Sequence, residues 1–335
     1  METPYTDKPP VHLWIYNHPF TGISDQVEFI IAALRQHGYA VSAGRQPSGS
    51  SLNVVIENFT AHSGKVLTDY CGAARKRVAV IMTEHLDFDS GKIFIHGDPL
   101  WSDNDYMHPA TQVNRIRFLM DCLPYIRCFL VLGDLPELRN MSVMLPGVAV
   151  RTIPFPKLDL VSNRNAEMSR PITSDLLFTG FITDYRADIL AMLKANDFSV
   201  ACPQKMVSRK NRDALNRSAR IILNIPQREG WRWLSLMRVI AGLRCGRATI
   251  SLGTNDDSKI ASCCAQIDIG REGWLDRLAG HIKDWQSLYR SAFESYMSMA
   301  SEFEREKGFP HDLFEYWAVT DRLSYAIAKS SDDHS

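Results

Sequence analysis

Nowhere does the sequence hold about 18 consecutive apolar residues, the run that a membrane-spanning helix needs. The residues after Met1 carry prolines and charges where a secretory leader has an apolar stretch. A cytoplasmic, unanchored protein is the expectation. A charge excess of either sign is missing as well, with 38 Lys and Arg against 38 Asp and Glu. No overall field therefore gathers nucleic acid or an anionic membrane, and neither is expected as a partner. Cysteine is sparse: Cys71, Cys122, Cys128, Cys202, Cys245, Cys263 and Cys264 show no C-x-x-C spacing and fall short of a disulfide scaffold. They read as reduced, mostly buried thiols, the adjacent Cys263 and Cys264 included. The phosphate loop G-x-x-x-x-G-K-[ST] and the nucleophile elbow G-x-S-x-G are absent, which sets aside P-loop and serine-hydrolase chemistry. His85, His96, Asp98 and His108 lack compact zinc spacing, so no metal is expected. Short repeats and low-complexity tracts are missing too.

What is present is an ordinary globular composition, 45% hydrophobic and 23% charged, in a chain of 335 residues, which favours two domains over one core. Apolar runs at 12–16, 39–43, 53–57, 77–83, 128–132 and 148–153 read as strands separated by segments long enough for helices. The first helix carries Val27, Ile30, Ile31 and Leu34 on one face, with Ser24 as its candidate cap and Gly38 as its end. The pattern starts again at Asp175-Leu176-Leu177-Phe178-Thr179-Gly180-Phe181, followed by a helix with Ile189, Leu190 and Leu193 inward. Further strands follow at 198–202, 219–225, 248–252 and 265–269, with a helix over 233–243. Strands alternating with helices predict parallel sheets. Pro154, Pro156 and the polar run 162–170 form the best linker, which gives domains at 1–165 and 166–312. From Trp274 onward the pattern is helical, and Phe314, Tyr316, Trp317, Leu323, Tyr325 and Ile327 make an aromatic-rich final helix that must pack on something. Residues 330–335 read as a frayed tail.

The second half carries a more specific signal. Phe178-Thr179-Gly180-Phe181 is followed by Arg186; Leu223-Asn224-Ile225 is followed by Glu229, Arg238 and Cys245-Gly246. This spacing resembles the C-terminal domain of bacterial nucleotide-sugar glycosyltransferases of the GT-B type. That resemblance implies an α/β fold of two Rossmann-like, doubly wound domains, with a terminal segment, 313–335, crossing back to the first. It implies transfer from a nucleoside-diphosphate sugar, without a metal or a separate cofactor, to an acceptor held in the cleft between domains. The acceptor is left open among glycan, protein, lipid-linked and small-molecule classes. In many retaining members a second acid stands eight residues after the first; here that position is Met237.

On this reading Thr179, Gly180, Arg186, Asn224, Glu229 and Arg238 bind the donor. An arginine on the first turn of a helix can neutralise a diphosphate, and a carboxylate at a strand's end can accept ribose hydroxyls. Each has a plainer use: a solvent-facing arginine for Arg186, a dipole-stabilised first-turn acid for Glu229, a buried ion pair for Arg238. Lys205, Arg209 and Lys210 read as a solvated loop. A catalytic base is expected from the first domain, with His18, Asp25 and Glu84 as candidates and Glu57 behind them; Asp25 also suits a helix N-terminus. Trp101, Tyr106, Trp231 and Trp233 suit ring stacking or core packing. Two other classes stay open: a catalytically inactive GT-B-like binding or complex subunit, and a nucleotide-sugar epimerase.

Overall fold

The computed structural model describes residues 8–19, 22–83, 86–89, 92–95, 98–99, 109–135, 140–145, 147–158, 171–205 and 207–332. The chain divides into two compact units, one of residues up to Pro156 together with those from Glu306, the other Lys157–Arg305. The expected boundaries are 165/166 and 312/313; the first of these lies outside the described residues.

Unit 1 is built on six parallel strands: β1 (Val11–Trp14), β2 (Val41–Gly44), β3 (Leu52–Ile56), β4 (Val78–Met82), β8 (Ile126–Leu132) and β9 (Ala149–Ile153), in the order β2-β1-β3-β4-β8-β9. Val11 stands opposite both Val41 and Leu52, and Val80 opposite Phe129. Every residue of β1, β3 and β4 is buried, as in strands covered on both faces, the polar His12 and Asn53 included. The connections hold α1 (Ser24–Gln36), α2 (Ala61–Ala74), α3 (Pro109–Asp121) and the short α4 (Met141–Met144). Ser24 is the first residue of α1 and Ile23 its N-cap, with no side-chain cap bond, so the expected serine cap is corrected by one position. Between β4 and α3 the structure has an antiparallel ribbon, β5 (Leu86–Asp89), β6 (Lys92–Ile95) and β7 (Asp98–Pro99), which the periodicity does not announce. A ribbon this short carries too few residues for a period to show.

Unit 2 repeats the plan with five parallel strands: β10 (Ser174–Leu177), β11 (Val200–Ala201), β12 (Ala219–Asn224), β13 (Ala248–Leu252) and β14 (Ala265–Ile267), ordered β11-β10-β12-β13-β14. Its helices are α5 (Asp184–Ala195), α6 (Arg209–Ser218), α7 (Leu236–Arg244), α8 (Trp274–Lys283) and α9 (Trp285–Lys307). Arg209 and Lys210, expected in a loop, open α6 behind the N-cap Ser208, whose hydroxyl accepts from Asn211 N–H. The local serine cap outweighs the polarity of the run. Lys157 and Glu304, near the two ends of this unit, are bridged at 3.0 Å.

The final helix, α10 (His311–Asp332), belongs to unit 1. Phe314 and Trp317 on it are fully buried. Phe309, just before it, stacks on His37 at 4.3 Å, and Tyr39 Oη lies 3.0 Å from His311 Nδ1. The helix runs on through the expected frayed tail as far as Asp332. Among the described residues no helix is long and apolar enough to cross a membrane. All seven cysteines are free thiols and six are buried; burial pushes Cys71 and Cys128 up to about 12 and Cys245 to about 11.

Candidate functional site

In both units the strand order reverses beside the first strand, β1 in one and β10 in the other. Open α/β sheets bind ligands outside the carboxyl ends of their strands at that reversal, because the two flanking loops diverge there. In unit 2 these loops are the one leaving β10 through Thr179, Gly180 and Phe181 and the one leaving β12 through Ile225, Pro226 and Gln227. The expected donor residues lie in or beside them.

Thr183 caps α5, accepting from the Arg186 N–H at 3.4 Å and donating to the Gln227 carbonyl at 2.7 Å, which ties the two loops together. Arg186 reinforces that tie. Its side chain is buried, with Nε and Nη2 donating to the Ile225 carbonyl at 2.9 and 2.7 Å and Nη1 donating to the Phe181 carbonyl at 2.8 Å. It is thus neither a solvent-facing arginine nor one extended into open space. Arg238, on the first turn of α7, donates from Nη1 to Asn224 Oδ1 at 2.8 Å and from Nη2 to the Thr179 carbonyl at 2.9 Å. The Phe178 ring centroid is 5.2 Å from the Arg186 guanidinium carbon and 5.1 Å from that of Arg238, within cation–π range of both. Gly180 leaves room for this packing: a Cβ there would sit 3.1 Å from Arg238 Nη2 and 3.3 Å from the Phe178 ring.

Asn224 is the junction of the cluster. Buried at the end of β12, it donates to Ser251 Oγ at 2.7 Å, and its Oδ1 also accepts from the Ser235 N–H at 3.3 Å. Beyond Ser251, Thr254 Oγ1 lies 2.7 Å from Ser251 Oγ and 2.9 Å from Gln266 Oε1. Asp256 accepts from the Leu234 N–H at 2.9 Å. These bonds fix the segment from Trp231 to Ser235 that leads into α7. Ser235, its N-cap, is exposed and makes no side-chain cap bond, so the first N–H groups of α7 have no side-chain acceptor from their own cap.

Glu229 is exposed at the same edge. It acts on Tyr185, whose phenol is pushed above its ordinary range by burial first and by the Glu229 charge second. Gly253, with φ +74°, follows β13 where a Cβ would stand 2.5 Å from Tyr185 Oη. Only glycine fits both that backbone and that contact. Tyr185, Phe178, Ser251, Thr254 and Gln266 are members of the network that sequence reasoning misses; the adjacency of Phe178 to Thr179-Gly180 is the one available signal. Trp231 is buried, while Trp233 is half-buried with Arg232 over its ring at 4.5 Å. Lys205 is exposed and Met237 half-buried.

At the reversal in unit 1, between β1 and β3, two asparagines stitch the strand ends. Asn17 Nδ2 donates to the carbonyls of Ile56 at 2.7 Å and Asn58 at 3.1 Å, and Asn58 Nδ2 donates back to the Asn17 carbonyl at 2.8 Å. This arrangement leaves Asn17 Oδ1 buried with no hydrogen-bond partner. His18 is half-buried next to it, its Nδ1 2.8 Å from the Pro19 carbonyl, and its main chain accepts from Arg45 Nη1 at 2.8 Å. A Cβ on Gly22 would meet the His18 ring at 2.9 Å. Asp25 is half-buried in the first turn of α1. Glu57, 3% exposed, is ion-paired with Arg115 at 3.0 Å, and the same guanidinium reaches the Glu57 carbonyl at 3.2 Å. Glu84, His85, His96, Trp101, Tyr106 and His108 lie outside the described residues. Among those described, no three His, Cys, Asp or Glu side chains gather as a metal site would require.

No protein-family model matches this sequence, and no curated protein does. Solved structures do. The chain is similar to a sucrose-phosphate synthase from Thermosynechococcus elongatus, at 11% identity and TM-score 0.48 over 97% of this chain and 100% of that one. It is also similar to an α1,3-fucosyltransferase, at 11% identity and TM-score 0.38 over 88% of this chain and 84% of that one.

Proposed function

We propose that the protein is a glycosyltransferase of the GT-B type, taking a nucleoside-diphosphate sugar at the carboxyl edge of the second sheet and an acceptor at that of the first. The observation that carries this reading is the duplicated topology. Each unit reverses strand order beside its first strand, and polar side chains stand at each reversal, Asn224 and Arg238 at the second and Asn17 and Asn58 at the first. At the second edge, Glu229 is exposed and suited to accept ribose hydroxyls. The diphosphate belongs at the start of α7, where the first N–H groups and the Ser235 hydroxyl offer donors and the helix dipole favours an anion. Arg186 and Arg238 serve there as braces. Their charges add positive potential to the edge while their N–H groups hold the loops in place. On the acceptor side, His18 and Asp25, with Glu84, are the proposed proton-handling groups. Asn17 Oδ1 is an acceptor ready for a hydroxyl donor. Donor chemistry here needs no metal ion.

Thermal stabilisation tests the reading against UDP, GDP, CMP, TDP and ADP and their common sugars. One nucleotide, at about 100 times its dissociation constant, is expected to stabilise the protein by about 2.7 kcal/mol. Glu229→Ala and Ser235→Ala, both surface changes, are expected to weaken that shift while leaving the unliganded melting temperature in place. No shift with any nucleotide overturns the proposal in favour of a non-catalytic binding subunit. Conversion of the donor sugar without any acceptor identifies an epimerase instead.

A further inference from the structure

At the opposite, amino edge of the first sheet lies a polar cavity of about 550 Å³, within the size range of small-ligand sites. Three consecutive basic residues, Arg75, Lys76 and Arg77, join α2 to β4 there. Arg127, near the start of β8, supplies a fourth cation, and α10 covers the remaining side with Thr320 and Asp321. Four cations thus face one cavity whose single carboxylate, among the described residues, is Asp321.

The placement of these groups is specific. Arg75 adopts a left-handed conformation, φ +52°, as the C-cap of α2, which turns the chain so that three successive basic residues follow the helix end. A cation there also complements the negative end of the α2 dipole. Arg75 and Arg77 are exposed, and neither takes part in an ion pair among the described residues. Lys76 Nζ is held by the Gly49 carbonyl. Arg127 donates from Nη2 to Thr320 Oγ1 at 2.9 Å and lies 5.4 Å from the Tyr316 ring, while its Nε is buried without a partner. Asp321 is only 8% exposed, with Oδ2 unpartnered. Its carboxyl is pushed up by burial and drawn back by Lys76, Arg127 and the Arg77 N–H. A cation excess of this kind, gathered in a concave polar site, is chemistry for an oxyanion.

We infer that the amino-edge cavity of unit 1 binds a small phosphate-bearing anion of two or more negative charges, held between Arg75, Arg77 and Arg127. The proposal is independent of the nucleotide-sugar reading, because the cavity lies at the other end of the strands from the carboxyl edge. The probes are pyrophosphate and inorganic phosphate, measured calorimetrically on the whole chain at low ionic strength, with potassium chloride matched for ionic strength as the blank. Pyrophosphate is expected to bind, and to bind at least tenfold more weakly in the double variant Arg75→Gln, Arg77→Gln, which changes two exposed side chains. Asp321→Asn, which removes the one negative charge, is expected to bind several-fold more tightly. Hydrogen exchange of the amides over 72–77 and 316–324 is expected to slow on binding. Pyrophosphate heat no greater than chloride, affinity unchanged in the double variant, or protection confined to 178–186 and 229–238 would each overturn the inference. The last pattern would assign the anion to the carboxyl edge of unit 2 and leave the nucleotide proposal standing.

Discussion

At the carboxyl edge of the second sheet two arginines, an asparagine and a chain of hydroxyl and amide groups join four strand ends through side chains. At the corresponding edge of the first sheet two asparagines bond reciprocally with the main chain, and one buried oxygen is left over. The strand order at the two reversals is the same, so topology does not explain the difference. The difference lies in which polar groups spend their hydrogen bonds on the fold. In unit 2 the network is absorbed in holding loops, and Glu229 and Ser235 stand exposed on its rim. In unit 1 the stitch itself keeps an acceptor, Asn17 Oδ1, in reserve. A buried polar atom without a partner costs folding about 1–3 kcal/mol, so a ligand hydroxyl placed there recovers a cost that the fold already bears.

Four measurements put this contrast at risk. The largest effect is expected from Trp317→Ala in α10, a fully buried side chain whose loss costs about 3–5 kcal/mol. Because α10 belongs to unit 1, limited proteolysis is expected to open unit 1 and spare unit 2; equal loss in both would mean that the units do not unfold separately. Next is Arg186→Ala, which strips donors from the Ile225 and Phe181 carbonyls and is expected to cost about 2–4 kcal/mol by denaturant titration. Lysine does not rescue it, since an ammonium group cannot span both loops as the planar guanidinium does. The matching change in unit 1, Asn17→Ala, is expected to cost only about 0.5–1.5 kcal/mol, because it removes two donated bonds and also the orphaned oxygen. If the two substitutions cost the same, the contrast between the edges fails.

The smallest effect concerns pH. His311, beside Tyr39, is pushed below its ordinary value by burial first and by Lys8 second. The folded state therefore binds fewer protons than the unfolded one between that lowered value and about 6.5, and stability rises with pH across this window, then levels off. His311→Gln is expected to flatten the slope in denaturant titrations between pH 5 and about 6.5. Tyr39, raised to about 12 by burial, stays neutral throughout this range.

Much of the plan is legible in the order of the residues. Val78 to Met82 is an unbroken apolar run, and a run that is apolar on both faces of a strand has few alternatives to a central parallel position. The final helix is legible for a similar reason: Phe314 and Trp317, three residues apart, define a stripe that water cannot be left to cover. Gly180, Asn224 and Arg238 are legible as a group through the resemblance their spacing carries, although the helix expected over 233–243 begins at Leu236 and so brings Arg238 onto its first turn. Their partners are not. That Arg238 reaches the Thr179 carbonyl, 59 residues away in the chain, follows from strand order and loop path, which leave no periodicity in the sequence.

The antiparallel ribbon and the cap of α6 show the same limit at short range. A four-residue strand or a single serine outweighs composition only when the backbone around it is already placed. Fold class, the repetition of the α/β plan and the burial of six of the seven thiols follow from hydrophobic pattern, a property read residue by residue along the chain. Which arginines became braces, which asparagine kept a free oxygen, and where four cations met one carboxylate were settled only once the chain had folded. Hydrogen bonds and charges act over a few ångströms, and those distances exist only after distant segments have been brought together.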